Sequence, residues 1–147
     1  MTEKQQLEET VESGHHGAFC WTEFAVRPLE SCKNFYSEIF GWKFQENEAG
    51  GTEFQYLEFG LDPHQPFGGM FDIDAVKNGG DEPKPHSNVY IAVDDADRTA
   101  AEAVEAGGRI LGAPVDLPGV GRLCQIEDPT GAAFFIIQPE SKGEEAR

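Results

Sequence analysis

Three strand-like runs carry carboxylates and amides at alternating positions among aromatic rings, and these are the residues best suited to chemistry. In FCWTEFAV, residues 19–26, the period of two of a strand puts Trp21, Glu23 and Ala25 on one side and Cys20, Thr22 and Phe24 on the other. A glutamate walled by rings is expected to hold its proton more tightly than in water, so Glu23 is a candidate general base or cation ligand. The plainer reading is a carboxylate at a solvated rim. In SNVYIAV, residues 87–93, Asn88, Tyr90 and Ala92 share a face. In FQYLEF, residues 54–59, Tyr56 and Glu58 share one face, and Leu57 and Phe59 are expected to meet a helix on the other. Gln125 holds the comparable place in the second half. Rings, amides and carboxylates in this mixture can stack on and hydrogen-bond a planar or polar small molecule, or simply pack against one another.

The remaining reactive side chains form no recognisable motif. His15 and His16 adjoin each other near the N-terminus, His64 sits between Pro63 and Gln65, and His86 follows Pro85 just before a strand. Cys20, Cys32 and Cys124 are an odd number, far apart and set in or beside apolar stretches, which reads as buried, inert thiols rather than a disulfide framework or a zinc knuckle. No Gly-rich phosphate loop, serine nucleophile elbow or CxxC pair is present.

Charge narrows the partners. Twenty-seven acidic against 11 basic side chains give a formal charge of −16, which repels phosphate backbones, so nucleic acid is not an expected partner. The longest apolar run, Ala132–Ile137, is far short of a membrane span, so no membrane partner is expected, and free thiols suit a reducing cytoplasm.

The elements that must position these residues occur twice in the same order. Phe19–Val26 predicts a strand that ends at Arg27-Pro28. Leu29, Cys32, Tyr36 and Ile39 then recur at helical spacing as far as a stop at Gly41. Trp42–Gln45, Phe54–Phe59 and Phe67–Ile73 predict three further strands. After a glycine- and proline-rich stretch the pattern restarts: strand Ser87–Val93, a helix capped by Asp94 or Asp95 and running to Gly107-Gly108, then strands Arg109–Leu111, Leu123–Glu127 and Ala133–Gln138. A duplicated βαβββ unit leaves one sheet face of each copy open, so the expectation is α+β, two βαβββ modules pairing curved sheets around a central pocket. The expected divisions are a disordered leader at 1–17, one domain at 18–139 (module 1 at 18–74, linker 75–85, module 2 at 86–139) and a tail at 140–147.

Within this frame VRPLESCKNFYSEIFGW and IEDPTGAAFFIIQP resemble the strand-to-helix segment and the closing hairpin of the glyoxalase/bleomycin-resistance/dioxygenase (vicinal oxygen chelate) superfamily, which includes lactoylglutathione lyase. The resemblance covers roughly residues 18–139. It implies a glyoxalase-like fold with a small-molecule site and, in metal-dependent members, His or Glu ligands pointing inward from the first and fourth strands of each module. Counted onto this chain, those positions fall on Trp21, Asn88 and Phe135, with the fourth near Gly69. Trp, Phe and Gly give a metal no side-chain lone pair, and an Asn amide is weak alone. The expectation is therefore a protein binding a small polar or aromatic molecule through Trp21, Tyr56, Glu58, Asn88, Tyr90, Gln125 and Phe135, with Glu23 as candidate base and no metal or other cofactor. Two alternatives stay open: a divalent-metal lyase or dioxygenase whose ligands have shifted to Glu23, His86 and Glu58, and a non-catalytic interaction module. Homodimerisation is a further expectation, because exposed module edges invite pairing.

Overall fold

The computed structural model describes residues 15–47, 55–76 and 84–140. The order is β1 (Phe19–Val26), α1 (Leu29–Phe40), β2 (Lys43–Glu46), β3 (Tyr56–Gly60), β4 (Gly68–Asp72) and a 3-10 turn at Ile73–Val76. It continues with β5 (His86–Ala92), α2 (Ala96–Glu105), β6 (Arg109–Ile110), β7 (Val115–Leu117), β8 (Gly121–Glu127) and β9 (Ala133–Pro139). Most of the predicted leader, linker and tail lies outside the described residues. No helix among the described residues is long and apolar enough to cross a membrane. The chain forms two compact units, residues 21–88 and residues up to 20 together with those from 89 onward.

In the unit of residues 21–88 the strands lie in the order β2-β3-β4-β1, with β1 parallel to β4 and the other pairs antiparallel. Helix α1 starts after Pro28 and closes at Gly41, whose φ of 71° is the left-handed conformation that a glycine adopts without a Cβ penalty. The helix packs Leu29, Cys32 and Tyr36 onto the Phe24, Val26, Leu57, Phe59 and Met70 face of the sheet. Leu57 and Phe59 do meet the helix, as alternation predicts. Rings dominate this core: Trp42 lies flat on Phe59 at 4.4 Å between centroids, and Phe24 stacks on Tyr36 at 5.2 Å.

The second unit repeats the plan. Its strands run β5-β9-β8-β6, again with a parallel first-to-last pair, β5 with β9. Asp95 caps α2 by accepting the Arg98 backbone N–H at 3.0 Å. Behind it Ala96 and Ala100 bring the helix close against Val93, Cys124, Ile126 and Ile136.

Element edges differ from the sequence expectation where side chains rather than pattern decide. β2 begins at Lys43, because Trp42 turns into the ring stack. The fourth strand stops at Asp72 and Ile73 enters the 3-10 turn as a fully buried plug. β7, three residues between Pro114 and Pro118, pairs antiparallel with β8 and is a strand that its brevity and flanking prolines hide in the sequence.

Candidate functional site

The sheet face of the 21–88 unit that turns away from α1 gathers the polar side chains. β1 and β4 run in parallel register with Glu23 beside Gly69, and β3 runs antiparallel to β4 with Glu58 beside the same Gly69 and Tyr56 beside Phe71. Glu23 and Glu58 therefore flank Gly69 in one row across three strands, about 10 Å apart on strand spacing alone.

Gly69 makes the next contact possible. A Cβ built there would fall inside contact distance of the Tyr56 ring and hydroxyl, so the absent side chain is the space through which the phenol crosses β4. Tyr56 Oη donates to Glu23 Oε2 at 2.9 Å and itself accepts the Trp21 indole N–H at 2.9 Å. Asn88 Nδ2 donates to Glu23 Oε1 at 3.4 Å, so both carboxylate oxygens are held. Glu23 is 9% exposed, and at that burial a carboxylate without donors would be costly; two donors offset the loss of water. Burial, and then the negative charge of Glu23, push the Tyr56 phenol far above its ordinary value, so it keeps its proton at neutral pH. Glu58 is held separately, by Asn47 Nδ2 at 2.8 Å.

The sequence-predicted residues thus separate into two groups. Trp21, Glu23, Tyr56 and Asn88 form one hydrogen-bonded network, with Glu58 on the same face. In the other unit Tyr90 stacks on Phe135 at 4.8 Å and 10°, and Gln125 stands in register beside Phe135. The roles of Gly69 as a gap and of Asn47 as the holder of Glu58 were missed by sequence reasoning. The available signal was a glycine pair within a predicted strand, which marks close approach of something else.

The histidines stand apart from this network. His86 is exposed, with Nδ1 2.7 Å from the Lys84 carbonyl oxygen, and His64 is exposed in the Asp62 turn. His16 Nδ1 accepts the Asp94 backbone N–H. Burial raises the Cys20, Cys32 and Cys124 thiols above their ordinary value, which disfavours the reactive thiolate. No group of three or more His, Cys, Asp or Glu side chains among the described residues is arranged to hold a metal, and this includes Glu23, Glu58 and His86. At the four positions that the family resemblance assigns to metal ligands, the side chains do not supply a metal-binding donor set either. Trp21 presents an N–H engaged on Tyr56, Gly69 gives its space to the phenol, Asn88 turns an N–H to Glu23, and Phe135 is a ring stacked on a ring.

Comparison with known proteins agrees with this architecture. CFP32 of Mycobacterium tuberculosis, which carries the name of a glyoxylase, is 34% identical over 126 residues, 84% of this chain and 44% of its own. The anthracycline biosynthesis protein DnrV of Streptomyces peucetius is 29% identical over 138 residues, 82% of this chain and 46% of its own. The chain thus spans less than half the length of these two relatives. Among solved structures, methylmalonyl-CoA epimerase from Mycobacterium tuberculosis superposes with a TM-score of 0.58 at 14% identity, covering 90% of this chain and 99% of that one. A hypothetical protein of Bacillus halodurans reaches 0.62 at 11% identity, covering 86% and 96%; at such identities the likeness is one of fold. The sequence pattern of the Glyoxalase/Bleomycin resistance protein/Dioxygenase superfamily matches residues 18–136, and the chain belongs to that superfamily.

Proposed function

We propose that this protein binds a small polar or aromatic molecule on the Glu23 face of the 21–88 unit, and that it does so without the metal ion used by metal-dependent members of the superfamily. The observation that carries the reading is the Trp21, Tyr56, Glu23 and Asn88 chain of hydrogen bonds, in which a phenol and an amide orient a buried carboxylate. Held in this way, Glu23 is the group that would take a proton from a bound molecule if the protein is a catalyst. Tyr56 and Asn88 act through it as positioning residues.

A thermal-shift screen of small polar and aromatic compounds against chelator-treated protein tests this reading, with calorimetry on the hits. Binding that survives chelation and weakens in Glu23→Gln is the expected result. Hits that vanish on chelation and return with a divalent metal would overturn the metal-free reading, and hits indifferent to Glu23→Gln would move the site elsewhere.

A further inference from the structure

The single donor protons of Trp21 and Tyr56 already have acceptors inside the protein. The Trp21 indole has one N–H, engaged on Tyr56, and the Tyr56 phenol has one O–H, engaged on Glu23. Asn88 turns an amide N–H to Glu23, and Asn47 turns one to Glu58. No buried side-chain nitrogen or oxygen among the described residues lacks a partner. The acceptor side is far larger, because two carboxylates flank Gly69 on the same face and each has about four lone-pair directions. Rings complete the surface: Tyr56 stacks on Phe71 at 6.3 Å and 17°, with the Trp21 indole bonded at the phenol's oxygen. Ring faces carry negative charge density and attract cations. The whole chain, at −16, adds a field of the same sign.

We infer that the ligand of this site is a ring-bearing molecule that brings its own hydrogen-bond donors, a protonated amine foremost and a hydroxyl next, and that carboxylates and phosphates are refused. This deepens, and rests on, the reading of the Glu23 face as a small-molecule site. Gly69 bears on the polarity of the surface, because the gap lets the phenol turn its proton onto Glu23 rather than toward a visitor.

Three probes with one benzene ring and the same short chain separate the cases: phenethylamine, phenethyl alcohol and phenylacetate. Calorimetry on the wild-type chain at low salt should rank the amine first and the carboxylate last, the outer two differing by roughly tenfold or more in Kd, since a charge-assisted hydrogen bond exceeds 1.4 kcal/mol. Glu23→Gln should remove most of the amine preference; if that variant does not fold, Glu58→Gln should still reduce it. Phenylacetate binding as well as the amine, with Glu23→Gln weakening both, would overturn the donor-bearing class and leave the site reading intact. An amine that binds no better to wild type than to Glu23→Gln and Glu58→Gln, or no amine binding at all, would also overturn it, and the compound screen would then judge the site itself.

Discussion

Tyr56 and Glu23 sit on strands that are not neighbours, and their hydrogen bond exists because Gly69 on the strand between them has no side chain. Gly69→Ala should therefore push the phenol off the carboxylate, with an overpacking cost of about 1–3 kcal/mol. In a Tyr56→Ala background the same substitution enters an emptied space, so most of that cost should vanish; denaturant melts of the two single variants and the double variant measure the coupling. Tyr56→Phe removes only the hydroxyl, leaving Glu23 short of one donor and the Trp21 N–H without its acceptor, at about 1–3 kcal/mol. It also changes the alkaline limb of stability. The folded chain holds the phenol proton more tightly than the unfolded chain, whose value is near 10. The stabilisation is whole below that pH and lost as the pH rises beyond it. Tyr56→Phe should consequently lose less of its melting temperature between neutral and strongly alkaline buffer than wild type does. Alternation paired Trp21 with Glu23 on one strand and Tyr56 with Glu58 on another. The diagonal reach of the phenol was not legible, because it depends on which neighbour lacks a side chain in a register that the sequence does not state.

At the scale of elements, the repeated order of strand, helix and three strands was readable from its punctuation. Gly41 at positive φ and Asp95 as a cap are local devices whose residue types announce them. β7 was not readable, since three residues between prolines form a strand only when β8 offers an edge. The Asp-Pro-Thr-Gly turn between β8 and β9 shows how much one side chain can fix. Asp128 Oδ1 accepts the Thr130 hydroxyl, the Thr130 N–H and the Ala132 N–H, which hold its carboxyl below its ordinary value. A carboxyl lowered by folding stabilises the chain at neutral pH, and that contribution is lost as the pH falls through its depressed value. Asp128→Asn should melt below wild type at neutral pH, and the gap should close in strong acid; thermal melts at both extremes check the sign.

For the molecule as a whole, the surplus of acidic side chains is the dominant long-range term. Charge of one sign repels itself in the compact state, and salt screens that repulsion over about 10 Å at 0.1 M. The melting temperature should accordingly rise with sodium chloride, and a fall would mean that ion pairs such as Arg122 with Asp97 and Asp116 outweigh the repulsion. Superfamily membership was legible because duplicated order and hairpin chemistry survive where identity is low. The chemistry of the site was legible only as a set of residue types.

Gly68 and Gly69 stand side by side in β4, and each lies under a ring from β3: a Cβ at Gly68 would meet Phe59 on the helix side, and one at Gly69 would meet Tyr56 on the opposite side. The strand is thus bare on both surfaces at its start, which constrains how the protein can change by single-base steps. A glycine codon is one base from aspartate or glutamate, the shortest route to a cation-binding oxygen at Gly69, yet that route is shut while the phenol occupies the space. Tyrosine would have to go first, so the order of substitutions is imposed by geometry before selection acts on either one.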